Sequence, residues 1–129
     1  MSTLAMSPFQ QRLKKLMNEY VHYVYDLTKQ FPTDERFGVI SQFRRAAMSI
    51  ILNYIEGFAR RRASVMLVFY EQAYGSLHES LYCFEFALAR GWLTDEQYKN
   101  GTKLGDEIGA MLWSEMQSTE RRVAAKSIR

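Results

Sequence analysis

Apolar residues recur every three or four positions through most of the chain, and nowhere do they alternate as in a strand. The first run carries Phe9, Leu13, Leu16, Tyr20, Val24, Leu27 and Phe31. Ser7 reads as its N-cap and Pro8 as its first helical residue, where a missing N–H costs nothing. Pro32 stops it. Thr33 then reads as the cap of a second helix, with Asp34 and Glu35 in its positive first turn. A third run repeats Met66, Tyr70, Ala73, Leu77, Leu81, Phe84 and Leu88, and Gly91 ends it. The fourth opens on Thr94-Asp95-Glu96-Gln97, a capping box, and continues through Tyr98, Ile108 and Leu112. The expected organisation is a short tail over residues 1–8, then a helical domain over 9–118 with helices at 9–31, 34–60, 63–90 and 95–118. A basic tail over 119–129 follows, either a frayed extension or disordered. Long helices with short links predict an all-α fold, an up-down-up-down antiparallel four-helix bundle.

The second helix carries an unusual surface. Wound at about 100° per residue, it places Gln42, Arg45, Ser49, Asn53, Glu56 and Arg60 on one polar stripe. Ile40, Phe43, Ala47, Ile50, Ile51, Tyr54 and Phe58 lie opposite, facing a core. A merely solvated face usually holds interchangeable Glu and Lys. This one holds Arg, Ser, Asn and a single Glu, then runs into Arg60-Arg61-Arg62, and is suited to holding a partner. Met48, Leu52 and Ile55 widen the apolar arc to roughly 200°, where one core seam needs little more than 100°. Tyr25 and the i, i+4 pair Tyr82 and Phe86 also point away from their core stripes. Such exposed apolar area predicts a homo-oligomer, with Met48, Leu52, Ile55, Tyr82 and Phe86 at its interface. The plainer alternative is that the aromatics lie flat against neighbouring helices. Gly101, Gly105 and Gly109 share one stripe of the fourth helix, each costing about 1 kcal/mol relative to Ala. They allow either a close backbone approach by a neighbouring helix or simply a weak, bent helix.

Charge changes the picture through its distribution. The net charge is only +3. Residues 1–62 hold ten Lys/Arg against five Asp/Glu, and residues 63–120 hold three against nine. The last nine residues add four positive charges and no negative ones. This asymmetry suggests a polyanion partner or head-to-tail self-association, beside the plain reading of an uneven surface. Arg44 and Arg45, then Arg60, Arg61 and Arg62, are the candidate phosphate contacts, because a guanidinium can donate two hydrogen bonds at once. Glu56 could spend Arg60 in an i, i+4 pair.

Catalytic readings are weak. Glu19-Tyr-Val-His22 has Glu-x-x-His spacing, but a di-iron bundle needs two such motifs and two more carboxylates facing inward. His78 is preceded three residues earlier by Gly75, and His22 lies opposite the core stripe. Cys83 and His78 occupy separate faces of one helix, so they form no nucleophile–base pair there. The single cysteine makes no intrachain disulfide. The expectation is a non-enzymatic protein with no cofactor and no metal. No apolar stretch approaches the roughly 20 residues that span a bilayer, the N-terminus does not read as a secretory signal, and a reducing cytoplasm suits the chain.

Several segments together resemble a bacterial family. They are Tyr25-Asp-Leu-Thr-Lys-Gln-Phe-Pro32, Glu35-Arg-Phe-Gly38, Gln42-Phe-Arg-Arg-Ala-Ala47 with Ser49-Ile50, and Asn53-x-x-Glu56-Gly-Phe58-x-Arg60. Ala73-Tyr-Gly-Ser-Leu77-x-Glu79 and Gly91-Trp-Leu-Thr94 follow. In this order they resemble the four-helix-bundle proteins encoded in intervening sequences of 23S ribosomal RNA genes, the S23 family, over roughly residues 13–117. The resemblance implies a ring-like homopentamer and a suspected role in binding structured RNA. The chain is also similar in fold to the accessory variability determinant of diversity-generating retroelements. That likeness implies an alternative, an adaptor docking on a reverse transcriptase or another nucleic-acid enzyme. Where the family often has Pro-Ser and Ile-Ala, this chain has Ile51-Leu52 and Tyr54-Ile55, which predicts an unbroken second helix.

Overall fold

A computed structural model describes residues 5–128, with side chains placed through Lys126; the remaining residues of the two expected tails lie outside the described range. The chain forms α1 (Pro8–Leu27), 3₁₀ turns at Thr28–Gln30 and Thr33–Glu35, α2 (Val39–Phe58), α3 (Ala63–Ala89) and α4 (Asp95–Ile128). Among the described residues there is no strand, so the fold is all-α with four helices. α3 packs against α2 and α4, and α1 packs against both of those as well.

Three ends form as the local chemistry dictates. At α1 the Gln10 amide N–H donates to Ser7 Oγ at 3.1 Å, and the Ser7 N–H donates to Gln10 Oε1 at 2.9 Å. At α4 Thr94 and Gln97 exchange the same pair of bonds at 3.0 and 2.9 Å. α3 ends in a Schellman turn: Gly91 has φ +77°, and the Trp92 N–H donates to the Ala87 carbonyl at 2.9 Å.

Four boundaries differ from the expected ones by two residues or more; the first is the end of α1, at Leu27 rather than at residue 31. α2 begins at Val39 rather than at residue 34, and it ends at Phe58 rather than 60. Thr33 opens a 3₁₀ turn instead of capping α2. Gly38 then breaks the helical path with ψ −112°, and the Glu35 carboxylate accepts the Val39 N–H at 3.3 Å. At the other end, α4 runs on to Ile128, so the segment from 119 is helix rather than a frayed or disordered tail. Thr119 is buried and bonds back to the Glu115 carbonyl at 2.8 Å. Beyond it Val123 is half-buried, and the Ala, Arg and Lys around it favour helix.

The core centres on Phe84, which is fully buried. Its ring meets Phe43 of α2 edge-on at 4.8 Å and lies 5.9 Å from Tyr20 of α1. Gly101 of α4 completes the site, because a Cβ there would stand 2.3 Å from the Phe84 ring. At Gly105 and Gly109 the nearest atoms belong to Leu81 (2.8 Å) and Leu77 (3.2 Å). The close approach expected from the glycine repeat is therefore made by α3 side chains rather than by backbone.

Buried tyrosines supply the polar part of the core. Tyr20 Oη bonds to Ser80 Oγ at 2.7 Å, and Tyr54 Oη donates to Glu115 Oε1 at 2.7 Å. Gln10 Nε2 donates to the other oxygen of Glu115 at 2.9 Å. Tyr70 stacks on Tyr54 at 5.2 Å, but its buried hydroxyl has no hydrogen-bond partner. A stranded buried hydroxyl costs about 1–3 kcal/mol. Tyr70→Phe should therefore raise stability by about 1 kcal/mol, read from the urea midpoint. A loss of stability would mean that the hydroxyl is in fact satisfied.

Candidate nucleic-acid interface

The five candidate arginines divide by position. Arg44 is half-buried and turned toward α1. Its Nε donates to Thr28 Oγ1 at 2.8 Å and its Nη2 to the Tyr25 carbonyl at 3.2 Å, with the guanidinium 4.8 Å from the Tyr25 ring centre. It caps the Tyr25 carbonyl and holds the Thr28 hydroxyl at the end of α1, which leaves fewer donors for an outside phosphate. Tyr25 is half-buried beneath it rather than pointing freely outward. Arg45 is exposed, pairs with Glu79 of α3 at 2.7 Å and also donates to Gln42 at 2.9 Å.

The remainder of the polar stripe works partly within the protein. Ser49 bonds to Ser76 of α3 at 2.8 Å, and Asn53 donates to the Ser49 carbonyl and hydroxyl, both at 2.9 Å. Glu56 pairs with Arg60, whose guanidinium also lies 4.9 Å from the Phe69 ring centre. The stripe borders a shallow hollow of about 500 Å³ with Tyr25, Met48 and Leu52 on its other side.

Arg61 and Arg62 differ from Arg60: among the described residues neither makes an ion pair. All three are exposed in the α2–α3 link, around a hollow of about 480 Å³ that also touches Val65. Beside it, Arg62 shares a second hollow of about 260 Å³ with Ser64, Val123 and Lys126. The last turns of α4 thus bring Lys126 to the arginine corner. Sequence reasoning missed that neighbour, and the excess of basic residues after 120 was its only signal.

The expected interface residues vary in exposure. Leu52 is 56% and Tyr82 61% exposed, and Ile55 is exposed as well. Met48 is half-buried, and Phe86 is half-buried against Trp92 at 5.9 Å. Burial pushes the Cys83 thiol up to about 11, away from a reactive thiolate. Among the described residues no three His, Cys, Asp or Glu side chains cluster to hold a metal, and no helix is long and apolar enough to cross a membrane.

Fold and corner together define a class: a small all-α protein of four helices, with a continuous α2 that leads into an arginine-rich end. The profile of the 23S rRNA-intervening sequence proteins matches residues 10–114, and the chain belongs to that family. A crystal structure described as a protein of unknown function from the S23 ribosomal protein family of Bacteroides thetaiotaomicron VPI-5482 has the same fold. Its TM-score is 0.78 at 21% sequence identity, covering 84% of this chain and 98% of that one. A comparison with curated proteins finds no match.

Proposed function

We propose that this chain is a cytoplasmic, non-enzymatic nucleic-acid-binding protein, an up-down-up-down antiparallel bundle that assembles into a ring-like homo-oligomer, with five subunits favoured. Its ligand is structured RNA, held by the basic surface at the end of α2. The observation that carries this reading is the exposed corner of Arg60, Arg61 and Arg62, extended by Lys126 of α4. Guanidinium groups gathered around a hollow, rather than scattered along a face, suit the phosphates of a folded nucleic acid. Arg45, exposed on α2 itself and paired with Glu79, is a secondary contact. Membership in the 23S rRNA-intervening sequence family supports RNA over DNA. The exposed Leu52, Ile55 and Tyr82 support self-association.

The test is fluorescence anisotropy with a labelled ribosomal RNA stem-loop and a matched DNA, titrated over salt. Tight, salt-sensitive binding that prefers RNA is the expected result. The Arg60→Ala, Arg61→Ala, Arg62→Ala variant should bind about tenfold more weakly and lower the log–log salt slope by about two. Unchanged binding and slope would remove these arginines from the interface. A second reading, an adaptor for a reverse transcriptase or similar enzyme, draws on the same exposed Leu52 and Tyr82. No RNA binding at low salt, together with recovery of a polymerase from the native host, would favour it.

A further inference from the structure

We propose that the groove between α3 and α4 receives an arginine side chain presented by a basic segment of a partner protein. This goes beyond the RNA-binding reading and uses different residues of opposite charge. The groove encloses about 370 Å³. Tyr74 and His78 of α3 form one wall, and Asp106 and Trp113 of α4 form the other. The Tyr74 ring lies 5.5 Å from Trp113 and meets His78 edge-on at 4.7 Å. Trp113 is 48% exposed, a large aromatic left open to solvent. Gly105 and Gly109 line the groove from α4, where they let Leu81 and Leu77 of α3 pack closely to form its floor.

The chemistry of this lining selects a cation. Aromatic faces attract positive charge, Trp most strongly. Asp106 stands beside them, and among the described residues no cation pairs with it. α3 carries Glu71 and Glu85, with Glu79 turned away to Arg45 of α2, and no Lys or Arg; Lys103 is the only basic residue of α4 between Lys99 and Arg121. A phosphate would be repelled here. Arginine fits better than lysine, because its planar guanidinium can stack on a ring while donating in its own plane to a carboxylate. An arginine in a basic polypeptide also gains from the acidic surroundings, which a free neutral ligand would not.

The protein has two tryptophans, so Trp92→Phe leaves Trp113 as the reporter. Titrating this variant with a short Gly-Arg-Gly-Arg-Gly peptide should change Trp113 emission saturably. The matched lysine peptide should bind about fivefold more weakly, and a glutamate peptide should not bind. Adding Asp106→Asn should weaken the arginine peptide by about fivefold while leaving RNA anisotropy unchanged. Should Trp92→Phe loosen the fold, Asp106→Asn alone, with both tryptophans present, gives the same comparison. Emission unmoved by the arginine peptide, or equal affinity with and without Asp106, would overturn the proposal. So would an RNA stem-loop that perturbs Trp113 more strongly in the Asp106→Asn variant.

Discussion

Phe84→Ala should lower stability by about 3–5 kcal/mol, the size of loss typical of truncating a fully buried aromatic. Phe84 touches Phe43 from α2, Tyr20 and Tyr23 from α1, and the bare backbone of Gly101 on α4, so all four helices lose a contact at once. Removing the ring leaves a cavity that four helices can close only by shifting together. Gly101→Ala attacks the same joint from the other side. Ala favours helix by about 1 kcal/mol, but its methyl would stand 2.3 Å from a ring that has nowhere to go. Overpacking of that kind costs about 1–3 kcal/mol, so the net effect is a loss. In the double variant the new methyl occupies part of the vacated space, and the combined loss should fall short of the two single losses added together. Urea unfolding of the four proteins gives the cycle. Simple additivity would mean that Phe84 and Gly101 do not share a site.

The protein should also unfold steeply in alkali, beginning near pH 10. Burial raises the pKa of Tyr20, Tyr54 and Tyr70 well above that of a free phenol, and the Glu115 carboxylate adds to the rise at Tyr54 and Tyr70. The neutral phenol is the form the fold accepts. Its contribution is therefore complete below the unfolded-chain value of about 10 and is lost as pH climbs above it. Each such group removes up to about 1.4 kcal/mol per pH unit in that range. Because the unfolded phenols are only half ionised at pH 10, three of them remove about 3 kcal/mol between pH 10 and 11, a large share of a typical domain's stability of 5–15 kcal/mol. The Cys83 thiol, pushed up to about 11, acts with the same sign and starts at slightly lower pH. Stability measured at pH 9, 10 and 11 should bend downward after 10, and Tyr20→Phe should remove about one quarter of the slope beyond that point, since three tyrosines and Cys83 share it. A flat profile to pH 11 would contradict the burial of these hydroxyls.

Much of this architecture was legible in the chain because its cause is local. Ser7 and Pro8, the Thr94–Gln97 box and Gly91 each set a helix end through bonds within a few residues. The spacing of Leu13, Tyr20, Tyr54 and Phe84 marked the core, and all four are buried. What the sequence hid depends on distance along the chain. The start of α2 is set by a Glu35 side chain that reaches forward to Val39, in competition with the cap read at Thr33. Arg44 looked like its neighbour Arg45 until Thr28 and the Tyr25 carbonyl, sixteen and nineteen residues away, came within its reach. Ser49 and Asn53 read as an outward stripe, yet Ser76 of the next helix joins them. The α3–α4 groove went unseen for a related reason. Tyr74 and Trp113 lie on separate helices, and each alone resembles an ordinary surface aromatic.

The length of α4 has a consequence for how the molecule meets anything charged. At 34 residues it outruns α1 by fourteen and delivers Lys126 next to Arg62, although the two are far apart in the chain. Positive charge from the middle and from the end of the sequence therefore gathers at one pole, while α3 and most of α4 carry negative charge along their length. Such a separation of charge gives the molecule an electric dipole moment. In the field of an approaching polyanion it would experience a torque before it made any contact, and it would arrive with the arginine corner already leading.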